Sequence, residues 1–261
     1  METSHSTRER RANILQELQN QPEVSVSELS NKFRVSEVTI RKDLNELKRR
    51  NLVTRIRGGA LRIPEISAGA DIAIKEKQLY HFKEKRAIGK LAASLIRENE
   101  TIILDSGTTT LEIAKNLDSF RDLTIITNAI NIAVELSNYN RFTVILLGGR
   151  LRQSSLSTVG PLAESTLKIF YCDKLFLGVD SFNMEEGVST PNIEEANINQ
   201  TMMSMSKETI AVLDSSKFNK RSFTFIAPVN KINTIVTDKG IPTEIKSQLK
   251  RMNIQLYTAE Q

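Results

Sequence analysis

Thr101-Ile102-Ile103-Leu104-Asp105-Ser106-Gly107-Thr108-Thr109-Thr110 is an apolar run that passes through small polar residues into the helical pattern Leu111-Glu112-Ile113-Ala114-Lys115. A strand that enters a helix in this way turns backbone N–H groups outward at the positive end of the helix dipole, where phosphates and other anions bind. The stretch therefore predicts a βα unit with an anion cradle at its turn. An ordinary turn capped by Ser and Thr uses the same residue types, so the surroundings must decide between the two. No Gly-Lys-Ser/Thr follows, which excludes a Walker loop.

Working outward, Ala87, Ile88, Leu91, Ala92, Leu95 and Ile96 recur at helical spacing before the stretch. After it, strands are expected at Leu123–Thr127, Phe142–Leu147, Lys174–Val179, Thr209–Leu213, Phe223–Ile226, Thr234–Thr237 and Ile254–Tyr257. Helices are expected between them over Asn131–Leu136, Pro161–Phe170, Ile193–Lys207 and Pro242–Met252. Short apolar strands without polar alternation, interleaved with helices, predict an α/β fold with a parallel sheet covered on both faces.

Polar residues fall directly after these strands. Asp105-Ser106-Gly107-Thr108-Thr109, Thr127-Asn128, Gly148-Gly149-Arg150, Gly178-Val179-Asp180 and Asp214-Ser215-Ser216-Lys217 all occupy such positions. In an open α/β sheet they converge outside the carboxyl ends of the strands, where ligands bind. Ser106, Gly107, Thr108 and Thr109 can offer N–H and hydroxyl donors, and Arg150 or Lys217 can neutralise a phosphate. Asp105 and Asp180 would repel a phosphate and suit sugar hydroxyls, with Asn128 able to serve either. A phosphorylated polyol is the expected ligand. No aromatic platform or Gly-x-Gly-x-x-Gly loop supports a dinucleotide.

Charge sets the N-terminus apart. Residues 1–60 carry twelve Lys/Arg against eight Asp/Glu, so they hold +4 of the chain's +5 within 261 residues. A basic head on a nearly neutral body points to a polyanion partner. The lone cysteine, Cys172, rules out an internal disulfide and is expected as a core thiol, and with only two histidines, His5 and His81, a Cys/His metal site lacks ligands. No catalytic residue, metal or cofactor is expected. The apolar runs are too short for a membrane span and Met1–His5 has no signal core, so a cytoplasmic protein is expected. Met202, Met203 and Met205 are expected in the core or at a subunit contact, and Glu194 and Glu195 at the start of a helix.

In the head, Ala12, Ile14, Leu15 and Leu18 mark a first helix that ends at Asn20-Gln21-Pro22. Ser25-Val26-Ser27-Glu28 has capping-box spacing before a second, and Ser36 caps a third from Glu37 to about Arg50. Leu52–Arg57, Gly58-Gly59 and Ala60–Ile63 then form a two-stranded wing on this helix-turn-helix. With Ile40, Leu44 and Leu47 buried, the capped N-terminal turns carrying Ser36, Glu37, Val38, Thr39, Arg41 and Lys42 face the major groove, and Arg49, Arg55 and Arg57 suit phosphates.

The run Val35-Ser36-Glu37-Val38-Thr39-Ile40-Arg41-Lys42-Asp43-Leu44-Asn45-Glu46-Leu47, followed by Arg55-Ile56-Arg57-Gly58-Gly59-Ala60, resembles the N-terminal signature of the DeoR family of bacterial transcriptional regulators. The body resembles the DeoR effector domain, which is similar in fold to ribose-5-phosphate isomerase and senses sugar phosphates. Leu175–Asp180, Gly187–Thr190, Glu194–Asn197 and Leu213–Asn219 most resemble the branch that includes AgaR, the repressor of N-acetylgalactosamine utilisation. The resemblance implies a winged helix-turn-helix over 1–62, a linker over 63–81 and an effector domain over 82–261. It implies a homo-oligomer, a dimer or tetramer, that binds operator DNA and represses sugar or amino-sugar catabolic genes under control of a phosphorylated sugar. An isomerase-like enzyme carrying a DNA-binding head is the alternative, with Asp105, Asp180 or Lys217 as its base.

Overall fold

A computed structural model describes residues 6–50, 52–62, 71 and 73–260. The head opens with α1 (Thr7–Asn20), β1 (Glu23–Ser25), α2 (Val26–Phe33) and α3 (Glu37–Arg49), followed by β2 (Val53–Ile56) and β3 (Gly59–Arg62). Ser25 forms the expected capping box with Glu28, and Ser36 Oγ accepts from the Thr39 N–H at 3.2 Å. Ile14, Leu18, Leu29, Ile40, Leu44, Leu47 and Val53 share one core. The wing has three strands in the order β1-β3-β2, not the expected two, with Val24 opposite Ala60. A three-residue strand is too short to show alternation in the sequence. Gly59 permits the extra pairing, because a Cβ there would stand 2.2 Å from the Val24 carbonyl oxygen.

The chain continues with α4 (Ile74–Lys77), α5 (Phe82–Ala93), β4 (Thr101–Leu104), α6 (Thr108–Ala114), β5 (Thr124–Thr127), α7 (Ile130–Leu136) and β6 (Thr143–Leu146). It then runs through β7 (Arg150–Arg152), β8 (Ser157–Val159), α8 (Pro161–Leu167), β9 (Cys172–Gly178), β10 (Ser181–Asn183), β11 (Gly187–Thr190) and α9 (Ile193–Ser204). The final elements are β12 (Ser206–Val212), β13 (Thr224–Ala227), β14 (Thr234–Asp238), α10 (Thr243–Arg251) and β15 (Gln255–Ala259). Seven strands form a wholly parallel sheet in the order β15-β14-β12-β9-β4-β5-β6.

Side chains alternate across a strand, and both sides of this sheet are buried. Ile103 on β4, Leu175 and Leu177 on β9 and Ala211 on β12 enter one core. Their neighbours Ile102, Leu104, Phe176, Ile210 and Val212 enter the other. That is why these strands read as continuous apolar runs.

One expected strand lies elsewhere. Thr224–Ala227 joins an antiparallel sheet in the order β10-β11-β13, so Phe223–Ile226 is not part of the parallel sheet. The sequence pattern also passed over the β7–β8 hairpin, whose strands have three residues each. Cys172 and Met202 are core residues as expected. Burial first, and then the Asp173 carboxylate, push the Cys172 thiol up to about 11.

The chain divides into two compact units, and the division is not a single cut. Lys75–Phe82 groups with the head, while Asp71 and Ile74 group with the body. Leu79 lies in the head core. The expected connector over 63–81 is therefore shared out between the units from residue 71 onward; its positions 63–70 and 72 lie outside the described residues.

Candidate functional site

Because β4, β5, β6, β9 and β12 are parallel, the five polar loops that follow them share one edge of the sheet. Asp105 is the hub. It is 2% exposed, its Oδ1 accepts from the Ser106 N–H at 2.6 Å and its Oδ2 from the Gly178 N–H at 3.2 Å. The Asn199 amide, oriented with its nitrogen toward the acceptors, donates to Asp105 Oδ1 at 3.2 Å and to the Glu195 carbonyl at 3.0 Å. Burial, followed by the Glu195 carboxylate, holds the Asp105 carboxyl well above the usual range; the Ser106 and Gly178 N–H groups oppose the rise and Asp180 adds to it.

Asp180 joins this group through Thr190, whose hydroxyl lies 3.3 Å from Asp180 Oδ2 and 3.3 Å from Glu195 Oε2. Glu195 Oε1 accepts from Arg152 Nη1 at 2.9 Å. The sequence assigned no role to Arg152, Thr190 or Asn199. Their signal was weak because they lie in the hairpin, in β11 and in the middle of α9, not directly after a parallel strand.

Asn128, at the end of β5, is fully buried. Its Nδ2 donates to the Thr158 carbonyl at 3.1 Å, and its Oδ1 has no partner among the described residues. A buried acceptor left unpaired costs free energy, so its presence calls for an occupant or a purpose. Nearby on α7, the Asn131 amide also has neither end satisfied among the described residues.

The remaining candidates divide. Thr108 and Thr109 are buried at the start of α6, after Gly107. Gly149 adopts φ 145°, and a Cβ there would meet the Val159 carbonyl oxygen at 2.8 Å, so its need for glycine is set by packing against β8. Gly148 is exposed beside it. Arg150, expected to face the ligand, is exposed and ion-paired with Glu194. It is not joined to the Asp105 group by any described bond, and Arg152, two residues on along β7 and buried, is the arginine that is. Lys217 closes the short 3₁₀ turn Ser215–Lys217, half-buried. That turn is fixed by Asp214 Oδ1, which accepts from the Ser216 N–H at 3.1 Å, and by Asp238 Oδ1, which accepts from the Ser215 N–H at 2.6 Å.

On the head, α3 turns Ile40, Asp43, Leu44 and Leu47 inward and leaves Glu37, Val38, Arg41 and Lys42 exposed. Asp43 does not pair with its helix neighbours, as its position first suggests. It is buried and accepts from Arg10 Nε at 2.6 Å and Arg11 Nε at 2.7 Å, both on α1. Two arginines counted in the basic bias are thus structural. Glu46 holds Arg49 and Arg50, whose hydrogen bonds, Arg49 first, keep its carboxyl down at about 2. Arg41 pairs with Glu37 at 2.6 Å, and Arg55 donates to the Gly59 carbonyl at 2.6 Å inside the wing. Lys42 on α3 and Arg57 at the wing turn make no ion pair among the described residues.

Two family descriptions match the chain: a DeoR-like helix-turn-helix domain over residues 10–65 and a DeoR C terminal sensor domain over residues 80–239. The chain belongs to the DeoR family. It is a DNA-binding transcriptional regulator with a sensor domain. A protein of Escherichia coli O157:H7 named for transcriptional repression of the aga operon is 38% identical over 250 residues, covering 96% of this chain and 93% of its own. The transcriptional repressor AccR of Agrobacterium fabrum is 34% identical over 256 residues, with 98% of each chain covered. The regulator GlpR of Haloferax volcanii is 32% identical over 94% of this chain and 95% of its own. Among solved structures, ribose 5-phosphate isomerase A from Neisseria gonorrhoeae aligns with 52% of this DeoR-family chain and 53% of its own, at 17% identity and a TM-score of 0.38. No helix of the described residues is long and apolar enough to cross a membrane.

Proposed function

We propose that this DeoR-family regulator represses genes of sugar or amino-sugar catabolism, and that a phosphorylated sugar bound at the carboxyl edge of the sheet changes its operator affinity. The observation that carries the proposal is the unpaired, fully buried Asn128 Oδ1 at the strand edge where Asp105, Asp180 and Glu195 gather. Such acceptors match the hydroxyls of a polyol. Ser106, Gly107, Thr108 and Thr109, with Lys217, are assigned to the phosphate, and Asp105, Asp180 and Asn128 to the sugar. Gly148 and Gly149 shape the edge, and Arg150 would have to leave Glu194 to reach a ligand.

In the head, Ser36, Glu37, Val38, Thr39, Arg41 and Lys42 are assigned to the major groove, and Arg49, Arg55 and Arg57 to phosphates. The protein acts in the cytoplasm as a dimer or tetramer on paired half-sites, and it is not an enzyme. Relatives matched along nearly the full chain are named as regulators or repressors, which supports the regulatory reading over an isomerase-like one.

A thermal-shift series with ribose 5-phosphate, fructose 6-phosphate, glucosamine 6-phosphate and their unphosphorylated sugars tests the sensor. Selective binding to the folded state raises its melting temperature. Operator affinity is then measured with and without any compound that shifts it. Equal stabilisation by phosphorylated and free sugars, or turnover of any phosphate, would overturn the assignment.

A further inference from the structure

Arg152 is 7% exposed and its guanidinium joins two directions of bonding. Toward the strand edge it donates to Glu195, which continues through Thr190 to Asp180. A second donation from Nη1 goes to Ser155 Oγ at 3.0 Å. In the other direction Nη2 donates to Asp71, whose side chain is 48% exposed. Three residues later the Ile74 N–H donates to the Ser154 carbonyl at 2.6 Å. Asp71 and Ile74 belong to the body and Lys75–Phe82 to the head, where Leu79 is buried in the core at 5% exposure. The chain is therefore tied to the hairpin that carries Arg152 immediately before it enters the head.

We propose that the Asp71–Arg152 ion pair is the fastening through which occupancy of the carboxyl edge of the sheet reaches the DNA-binding head. The inference rests on the reading of that edge as the effector site. A half-exposed ion pair adds little to stability, and when Asp71 leaves, Arg152 keeps Glu195 and Ser155, so neither the bonded nor the released state is strongly disfavoured. Such a balance is what a ligand can tip. A hydroxyl donated to Asp180 or Glu195 uses acceptor capacity that Thr190 and Arg152 otherwise fill, and this redistributes the guanidinium's donors and with them its hold on Asp71. Arg152 acts here as a positioning residue. Only four residues separate Ile74 from Leu79, so release at Asp71 is passed on along the backbone.

The test uses full-length Asp71→Asn, which removes charge at an exposed position, and Asp71→Glu as the conservative variant. Hydrogen exchange comes first, without any ligand. Amides of Ile74–Tyr80 in Asp71→Asn should exchange about tenfold faster than in the wild type, with Asp71→Glu near the wild type. Unchanged exchange overturns the tether whatever binds at the strand edge. Next, a compound of the sugar-phosphate series that stabilises the wild type should stabilise Asp71→Asn equally. Its effect on affinity for a DNA fragment selected from a random pool by the wild type should fall to below about twofold, and return in Asp71→Glu. A full effect retained in Asp71→Asn overturns the proposal. A series in which no compound stabilises the wild type sinks the effector reading instead, and the exchange result then decides the tether.

Discussion

Arg10 on α1 donates to the buried carboxylate of Asp43 on the recognition helix at 2.6 Å, and Arg11 donates to its other oxygen at 2.7 Å. α3 is thus held from behind by two arginines whose Nε donors are taken up by its buried carboxylate.

Removing Asp43 would leave Arg10 buried without its counter-charge. Asp43→Ala is expected to destabilise the head by roughly 3–5 kcal/mol, the usual cost of breaking a buried pair from one side. Thermal unfolding followed by a head-specific probe measures it. A loss within 0.5 kcal/mol, the range of an ordinary surface change, would show the pair to be incidental.

Lys42 and Arg57 make no ion pair among the described residues, unlike Arg41 and Arg49, which are held by Glu37 and Glu46. Arg57→Ala, at a phosphate contact, should weaken binding to all duplexes alike and lower the slope of log K against log salt by about 1, whereas Lys42→Ala, on the major-groove turns, should weaken binding unevenly across sequences. Val38, 58% exposed on the same turns and uncharged, should act on base choice alone. Val38→Ala is expected to change base preference at one position with the salt slope intact, which binding to a randomised half-site would reveal.

Asp105 carries a raised carboxyl in the folded state because it is buried beside Glu195. Between the unfolded value, about 3.9, and the raised folded value, the native state binds more protons than the unfolded one. This residue's contribution to stability is therefore greatest at low pH and is lost as pH rises through the folded value. Melting curves from about pH 4 to pH 8 should show that decline in the wild type and a flatter profile in Asp105→Asn. Parallel profiles would mean that Asp105 titrates normally.

Gly89 lies inside α5, where alanine is ordinarily better by about 1 kcal/mol. A Cβ there would stand 2.5 Å from the Glu112 Cβ and 2.7 Å from the Glu112 carbonyl carbon. Neither atom is the end of a flexible chain, so overpacking, typically about 1–3 kcal/mol, should outweigh the propensity gain. Gly89→Ala is expected to lower the midpoint of denaturant unfolding of the body.

Lys217 sits in a turn whose backbone is fixed by Asp214 and Asp238, independent of its own side chain. Lys217→Ala should leave the unliganded melting temperature near the wild type and weaken sugar-phosphate binding by at least about tenfold, the loss of one charge-assisted contact. Equal affinities in a titration would remove Lys217 from the site.

Much of this protein was settled locally. Hydrophobic period and caps placed α2 and α3 through Ser25 and Ser36, and uninterrupted runs such as Ile102-Ile103-Leu104 marked strands buried on both faces. Polar residues after parallel strands then had to share one edge, since strand direction alone places them there. What the sequence could not show depends on chain segments distant from one another. Three-residue strands at Glu23–Ser25 and Arg150–Arg152 have no period to read, and each exists because a partner strand supplies its hydrogen bonds. Arg150 and Arg152 look alike in the sequence and share a face of β7; what covers each position separates them, one left to solvent and Glu194, the other buried between Glu195 and Asp71. Asp43 reads as a helix-surface charge until α1 packs across it. The fate of a charge is set by which backbone lies over it, and that is decided only when the tertiary structure forms.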